Sequence, residues 1–133
     1  MSKAVILLAD DDDDYRESLR QLLELEGYRV IEAASPAEAR EKLETERLDL
    51  ALLDLRFTNH QSAGDISGLT MARLAADKGV CRIIITAYET AEAVRMALHT
   101  RGSAPLAEDV VFKKDGPTAV LYAIEVVLSR INR

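Results

Sequence analysis

Three of the aspartates in this chain stand where an apolar run stops. Asp10 and Asp11 follow Ala4-Val5-Ile6-Leu7-Leu8-Ala9, and Asp54 closes Leu50-Ala51-Leu52-Leu53. Thr86 closes a third run, Arg82-Ile83-Ile84-Ile85, and Lys113 a fourth, Asp109-Val110-Val111-Phe112. Two carboxylates brought within about 4 Å repel by on the order of 4 kcal/mol at an effective dielectric near 20, so such a set either raises a carboxyl pKa or recruits a cation. Ligands that are all oxygen select Mg²⁺ or Ca²⁺. Mg²⁺ takes only one or two protein carboxylates, keeps several waters and bridges to phosphate oxygens, which suits a shallow pocket of three acids. The Thr86 hydroxyl and the Lys113 ammonium add two phosphate-binding donors. Asp12, Asp13 and Asp14 read instead as the cap and first turn of a helix, where acids favour the helix dipole. An EF-hand loop is excluded, because the acidic run lacks the central glycine and Gln21 stands where the closing glutamate belongs.

These groups meet only if the runs lie side by side. Apolar runs of strand length, Ala4–Ala9, Tyr28–Ala33, Leu50–Asp54, Arg82–Thr86 and Asp109–Lys113, alternate with stretches of helical period. That alternation predicts a parallel sheet covered on both faces, and none of the strands contains proline. Leu19, Leu22 and Leu23 mark the buried stripe of a first helix closed by Gly27. Ser35, Pro36 and Glu38 predict a reciprocal capping box at the start of a second helix, with Ala39 and Leu43 inward. Ala72, Ala75 and Ala76 serve a third, Val94, Ala97 and Leu98 a fourth, and Val120, Ile124, Val127 and Ile131 a fifth, with Pro117 in its first turn. The expected fold is a doubly wound α/β sheet of five parallel strands with five helices, and its ligand crevice lies at the carboxyl ends of the strands. The polar stretch Arg56 to Ser67 is the one irregular segment.

Composition narrows the function. The 133 residues suit one domain spanning 1–133, with 48% hydrophobic and 30% charged residues. A formal charge of −6 argues against a surface for nucleic acid, whose binding is driven by Lys and Arg displacing counterions. No run is long or uncharged enough to cross a membrane, and the apolar start is too short for a signal peptide, so a cytoplasmic protein is expected. Cys81 is the single cysteine, which permits no internal disulfide, and it reads as a packing residue.

The segments Ile6-Leu7-Leu8-Ala9-Asp10-Asp11-Asp12, Leu50-Ala51-Leu52-Leu53-Asp54-Leu55, Ile83-Ile84-Ile85-Thr86-Ala87 and Val110-Val111-Phe112-Lys113 together resemble the receiver domain of two-component response regulators, over essentially the whole chain. The resemblance implies a CheY-like, flavodoxin-like strand order 2-1-3-4-5. It implies that Asp54 accepts a phosphoryl group from a sensor histidine kinase or a histidine phosphotransfer protein. Asp11, Asp54 and the Arg56 carbonyl would ligate Mg²⁺, Asp10 would hold metal waters, and Thr86 and Lys113 would grip the phosphoryl oxygens. The surface so altered would comprise helix four, strand five and helix five, about Thr90 to Arg101 and Asp109 to Ile131, which could also support a phosphorylation-dependent homodimer. Such a protein is a switch rather than an enzyme, since its chemistry is self-catalysed transfer and hydrolysis.

The chain departs from the family pattern after Asp54. Thr58 replaces a proline, Gly68 comes about three residues late, and Asn59-His60-Gln61-Ser62-Ala63 reads as a polar surface insert in which His60 is not a metal ligand. Val110 occupies the place of a switching aromatic, and Tyr88, two residues after Thr86, is the candidate to replace it. Lys113 is preferred to Lys114 because Pro117 and Val120 then fall four and seven residues later. Two other readings stay open. One is a receiver fold that binds a protein partner without phosphate. The other is an aspartyl-phosphate phosphatase of the haloacid dehalogenase kind, which is disfavoured because Arg56 stands where its second acid belongs.

Overall fold

In the computed structural model the described residues are 3–55, 67–87 and 107–131, with the side chains of Ser67 and Ile131 outside that description. The strands are β1 (Val5–Ala9), β2 (Arg29–Ala33), β3 (Leu50–Asp54), β4 (Cys81–Thr86) and β5 (Asp109–Phe112). All neighbours are parallel, and the sheet order is β2-β1-β3-β4-β5, as expected. The helices among the described residues are α1 (Asp13–Leu25), α2 (Pro36–Thr45), α3 (Ser67–Asp77) and α4 (Pro117–Ile131). The helix read between strands four and five, with Val94, Ala97 and Leu98, lies outside the described residues.

The period of two along each strand builds two cores. Leu7, Ala9, Ala51, Leu53 and Ile84 face one way and pack with Ala39 and Leu43 of α2 and Ala72 and Ala75 of α3. Ile6, Leu8, Leu50, Leu52, Ile83 and Ile85 face the other and pack with Leu19 and Leu23 of α1 and Val120, Ile124 and Val127 of α4. Each fully buried Leu or Ile contributes about 1.5–3 kcal/mol relative to exposure, so the sheet is a rigid platform for whatever its edge carries. Every residue of β3 is buried, which is why that strand reads as an unbroken apolar run.

Several local expectations need correction. Lys113 does not extend β5. It begins a 3₁₀ turn, Lys113–Asp115, because the strand's pairing with β4 ends at Thr86 and Phe112. Ala76 is exposed, and the buried face of α3 is completed by Leu69 and Met71 instead, since Ala76 turns away from the Ala72 and Ala75 stripe. Leu22 is only half-buried. In the second helix, Ser35 Oγ accepts from the Glu38 N–H at 3.2 Å, but Glu38 reaches the Ala34 N–H rather than that of Ser35. Gly27 closes α1 at φ 95°, where a side chain would strain the backbone.

Candidate functional site

Strand register sets the site before any side chain is considered. Ala9 lies opposite Leu53, and Asp54 opposite Ile85, so Asp10 follows β1 level with the last residue of β3. Asp54 shares its parity with Leu50 and Leu52, and Asp10 with Ile6 and Leu8, which places both on the α1 and α4 side of the sheet. Thr86 ends β4 opposite Phe112, and Lys113 follows one residue later. Asp10, Asp54 and Thr86 are the buried polar residues at this edge, at 1%, 3% and 1% exposure, while Asp11 is half-buried.

One carboxylate oxygen from each of Asp10, Asp11 and Asp54 lies within 4.8 Å of the others. Asp11 Oδ1 and Asp54 Oδ2 are buried atoms that accept no hydrogen bond, although both residues make other interactions. The donor set is oxygen alone, so its chemistry suits a hard divalent cation.

Asp10 is held on all sides. Its N–H donates to the Ala33 carbonyl at 3.1 Å, its carbonyl accepts from Arg16 Nη1 at 2.7 Å, and its Oδ1 accepts from the Asp12 N–H at 2.9 Å. Its Oδ2 pairs with the Lys113 ammonium at 2.8 Å. Burial raises the Asp10 carboxyl above its ordinary range, outweighing Lys113, which opposes the shift. Asp12 caps α1 by accepting the Tyr15 N–H at 3.1 Å, and Asp13 and Asp14 fill the first turn, as read from the sequence.

The structure thus brings Asp10, Asp11, Asp54 and Lys113 together and sets Thr86 at the same sheet edge. Lys114 is exposed. Arg56, Thr58, His60 and Tyr88, with the fourth-helix surface about Thr90 to Arg101, lie outside the described residues. Val110 is half-buried and packs against the core on the α2 and α3 side.

Sequence reasoning missed two neighbours of the site, Tyr15 and Arg16, and read a third, Gly68, only as a displaced family glycine. Tyr15 places its ring under the Lys113 ammonium, 4.3 Å from the centroid. Burial, then the charges of Asp10, Asp54 and Asp12, raise its phenol pKa and keep it protonated. Arg16 ties the Asp10 carbonyl to Glu32 of β2 and to Asp13, at 3.2 and 2.8 Å. Gly68 abuts the Asp54 backbone. Helical spacing offered a signal for Arg16 alone, which follows Asp13 by three residues in the first turn of α1.

Comparison with known proteins agrees with the geometry. A family model described as the response regulator receiver domain matches residues 6–125. The solved receiver domain protein (CheY-like) from Methanospirillum hungatei is 30% identical, covers 97% of this chain and 96% of its own, and superposes with TM-score 0.79. The transcriptional regulatory protein YvrH of Bacillus subtilis is 28% identical over 98% of this chain and 51% of its own length. A Burkholderia pseudomallei response regulator, solved with a phosphorylated aspartic acid, calcium ion and citrate, shares the fold at 22% identity and TM-score 0.74, covering 96% of this chain and 73% of that one. The chain spans about half the length, or less, of the curated relatives it matches.

Proposed function

This chain belongs to the response regulator receiver domain family of two-component systems, and from that premise we propose that it accepts a phosphoryl group on Asp54 from a sensor histidine kinase or a histidine phosphotransfer protein. The observation that carries the reading is the grouping of the Asp10, Asp11 and Asp54 oxygens within 4.8 Å beside a lysine ammonium 2.8 Å from Asp10. That set fits Mg²⁺. Asp11 and Asp54 would hold the ion with the Arg56 carbonyl, and Asp10 would hold its waters. When bound, the ion neutralises charge on the transferring phosphoryl oxygens.

The rest of the chemistry belongs to the chain. An Asp54 carboxylate oxygen forms a bond to phosphorus while the phosphorus–nitrogen bond to the donor imidazole breaks. The electron pair leaves on that nitrogen, which takes up a proton. Burial of Asp54 at the end of a rigid strand fixes the attacking oxygen, and alignment is most of what phosphoryl transfer asks of a protein. Lys113 and the Thr86 hydroxyl hold the phosphoryl oxygens.

The modified aspartate carries about −1.5 to −2 charge where one carboxylate stood. Thr86 at the end of β4 and Lys113 after β5 are the donors that would follow it, so β5, α4 and the segment of about Thr90 to Arg101 would form the surface that changes. The same surface would carry a phosphorylation-dependent homodimer or a downstream protein. A net charge of −6 disfavours both a nucleic acid and an anionic membrane surface as partners of this domain, and among the described residues no helix is long and apolar enough to cross a bilayer. A cytoplasmic switch, rather than a turnover enzyme, is the resulting picture.

Intact mass after incubation with Mg²⁺ and acetyl phosphate tests this. One added phosphoryl group is expected, absent from Asp54→Asn and from a chelated sample. A protein left unmodified by acetyl phosphate and by its kinase would make phosphate-independent protein binding the better account.

A further inference from the structure

We propose that Tyr15 is a positioning residue that seats the Lys113 ammonium at the acid pocket and thereby sets the rate of phosphoryl transfer, a role that rests on the reading of Asp54 as phosphoacceptor. Lys113 Nζ lies 2.8 Å from Asp10 Oδ2 and 4.3 Å from the centroid of the Tyr15 ring, so the ammonium is clasped between a carboxylate and a π face. A cation within about 6 Å of a ring centroid is attracted by the ring quadrupole, and more strongly where water is excluded. The seat is largely dry: the Lys113 side chain is 16% exposed, that of Asp10 is 2% exposed, and Tyr15 is half-buried.

The ring is fixed independently of the lysine. Tyr15 sits in the first turn of α1, its N–H is capped by Asp12, and its side chain packs against the core that α1 shares with α4. Lys113 comes from the far side, in the 3₁₀ turn after β5, on a long stem with large rotamer freedom. Without the ring, Asp10 is the partner among the described residues that would restrain that stem, using one of three ammonium donors. The ring therefore keeps the ammonium at the pocket when its carboxylate partner is shared with another cation. It also makes α1 a contributor to the site through a side chain that is neither acid nor metal ligand.

The test compares Tyr15→Phe, which keeps the ring, with Tyr15→Leu, which keeps an apolar side chain and removes it. In the unmodified protein, NMR should show the Lys113 ε-methylene protons shifted upfield by the ring current in wild type and Tyr15→Phe, and unshifted in Tyr15→Leu. Phosphorylation by acetyl phosphate with Mg²⁺ should slow about three- to thirtyfold in Tyr15→Leu, with Tyr15→Phe close to wild type. In a Lys113→Ala background, Tyr15→Leu should add no further loss. Equal losses in both backgrounds, a Tyr15→Phe protein as slow as Tyr15→Leu, or an unshifted Lys113 resonance in wild type would overturn the proposal. Wild-type protein that takes up no phosphoryl group at all would remove the phosphoacceptor reading and this role with it, even with the Lys113 resonance shifted.

Discussion

A Cβ added at Gly68 would stand 2.1 Å from the Asp54 carbonyl oxygen and 2.7 Å from the Leu55 Cα. The Gly68 N–H also donates to the Leu55 carbonyl at 2.9 Å, so the start of α3 rests directly on the peptide that follows the proposed phosphoacceptor. Both obstacles are backbone, which cannot swing aside as a side chain would. Gly68→Ala should therefore destabilise the fold by about 1–3 kcal/mol and shift Asp54 enough to weaken divalent-cation binding. Urea denaturation and Mg²⁺ titration check this, and a variant with wild-type values in both would contradict the close approach.

Clustering of Asp10, Asp11 and Asp54 stores like-charge repulsion that a cation would relieve. Mg²⁺ at about a hundred times its dissociation constant should add about 2.7 kcal/mol of stability, seen as a rise of several degrees in Tm. Asp11→Asn should erase that rise, and without Mg²⁺ it should melt above wild type because one repelling charge is gone. A melting temperature indifferent to Mg²⁺ in the wild-type protein would argue against a metal site.

At the opposite end of the sheet, Arg82 and Glu108 form a pair whose guanidinium and carboxylate lie 2.9 Å apart, with side chains 10% and 23% exposed. The Arg82 backbone N–H also donates to the Glu108 carboxylate, at Oε2 and 2.5 Å, and the Glu108 N–H donates to the Arg82 carbonyl at 2.8 Å. Removing Glu108 takes the opposite charge from a mostly buried guanidinium, which keeps its bond to the Val80 carbonyl at 2.7 Å, so Glu108→Ala should cost about 2–3 kcal/mol, less than a fully buried pair. The double variant Arg82→Met with Glu108→Leu should recover most of that loss. Guanidinium unfolding of the three proteins decides it, and a double variant worse than the single would refute the account.

Burial, assisted by Glu108, raises the Cys81 thiol above its ordinary pKa. The thiolate is the reactive form, so at about pH 8 a thiol reagent should label native Cys81 more slowly than the unfolded chain. The neutral thiol is the form the fold favours. Its contribution to stability is present below the unfolded pKa and is lost as pH rises through the folded one. Cys81→Ala should flatten that alkaline slope, and equal labelling rates in native and unfolded protein would exclude the shift.

Much of this protein is determined by sequence alone, because its signals are local. Unbroken apolar runs such as Leu50–Asp54 carry strand and burial together, and Ser35 and Asp12 announce helix starts through side-chain oxygens that accept from N–H groups of the first turn, as Pro36 does through its fixed φ. The candidate site was legible for the same reason: an acid at the end of a parallel strand can only reach the carboxyl edge, so Asp10, Asp11, Asp54, Thr86 and Lys113 were bound to share it. The boundary at Lys113 was not, since a strand ends where its neighbour stops pairing, and Thr86 decides that from another segment.

Tertiary structure alone decided the contacts made across elements. Nothing around Tyr15 in the chain says that a lysine 98 positions later would settle on its ring, because the meeting depends on α1 packing on one face of the sheet and on the turn after β5 ending at the same edge. Nothing around Gly68 says that the Asp54 carbonyl fills the place of its missing side chain. The rise of the Asp10 carboxyl likewise depends on how deeply the finished fold buries it, a sum over elements that no local pattern contains.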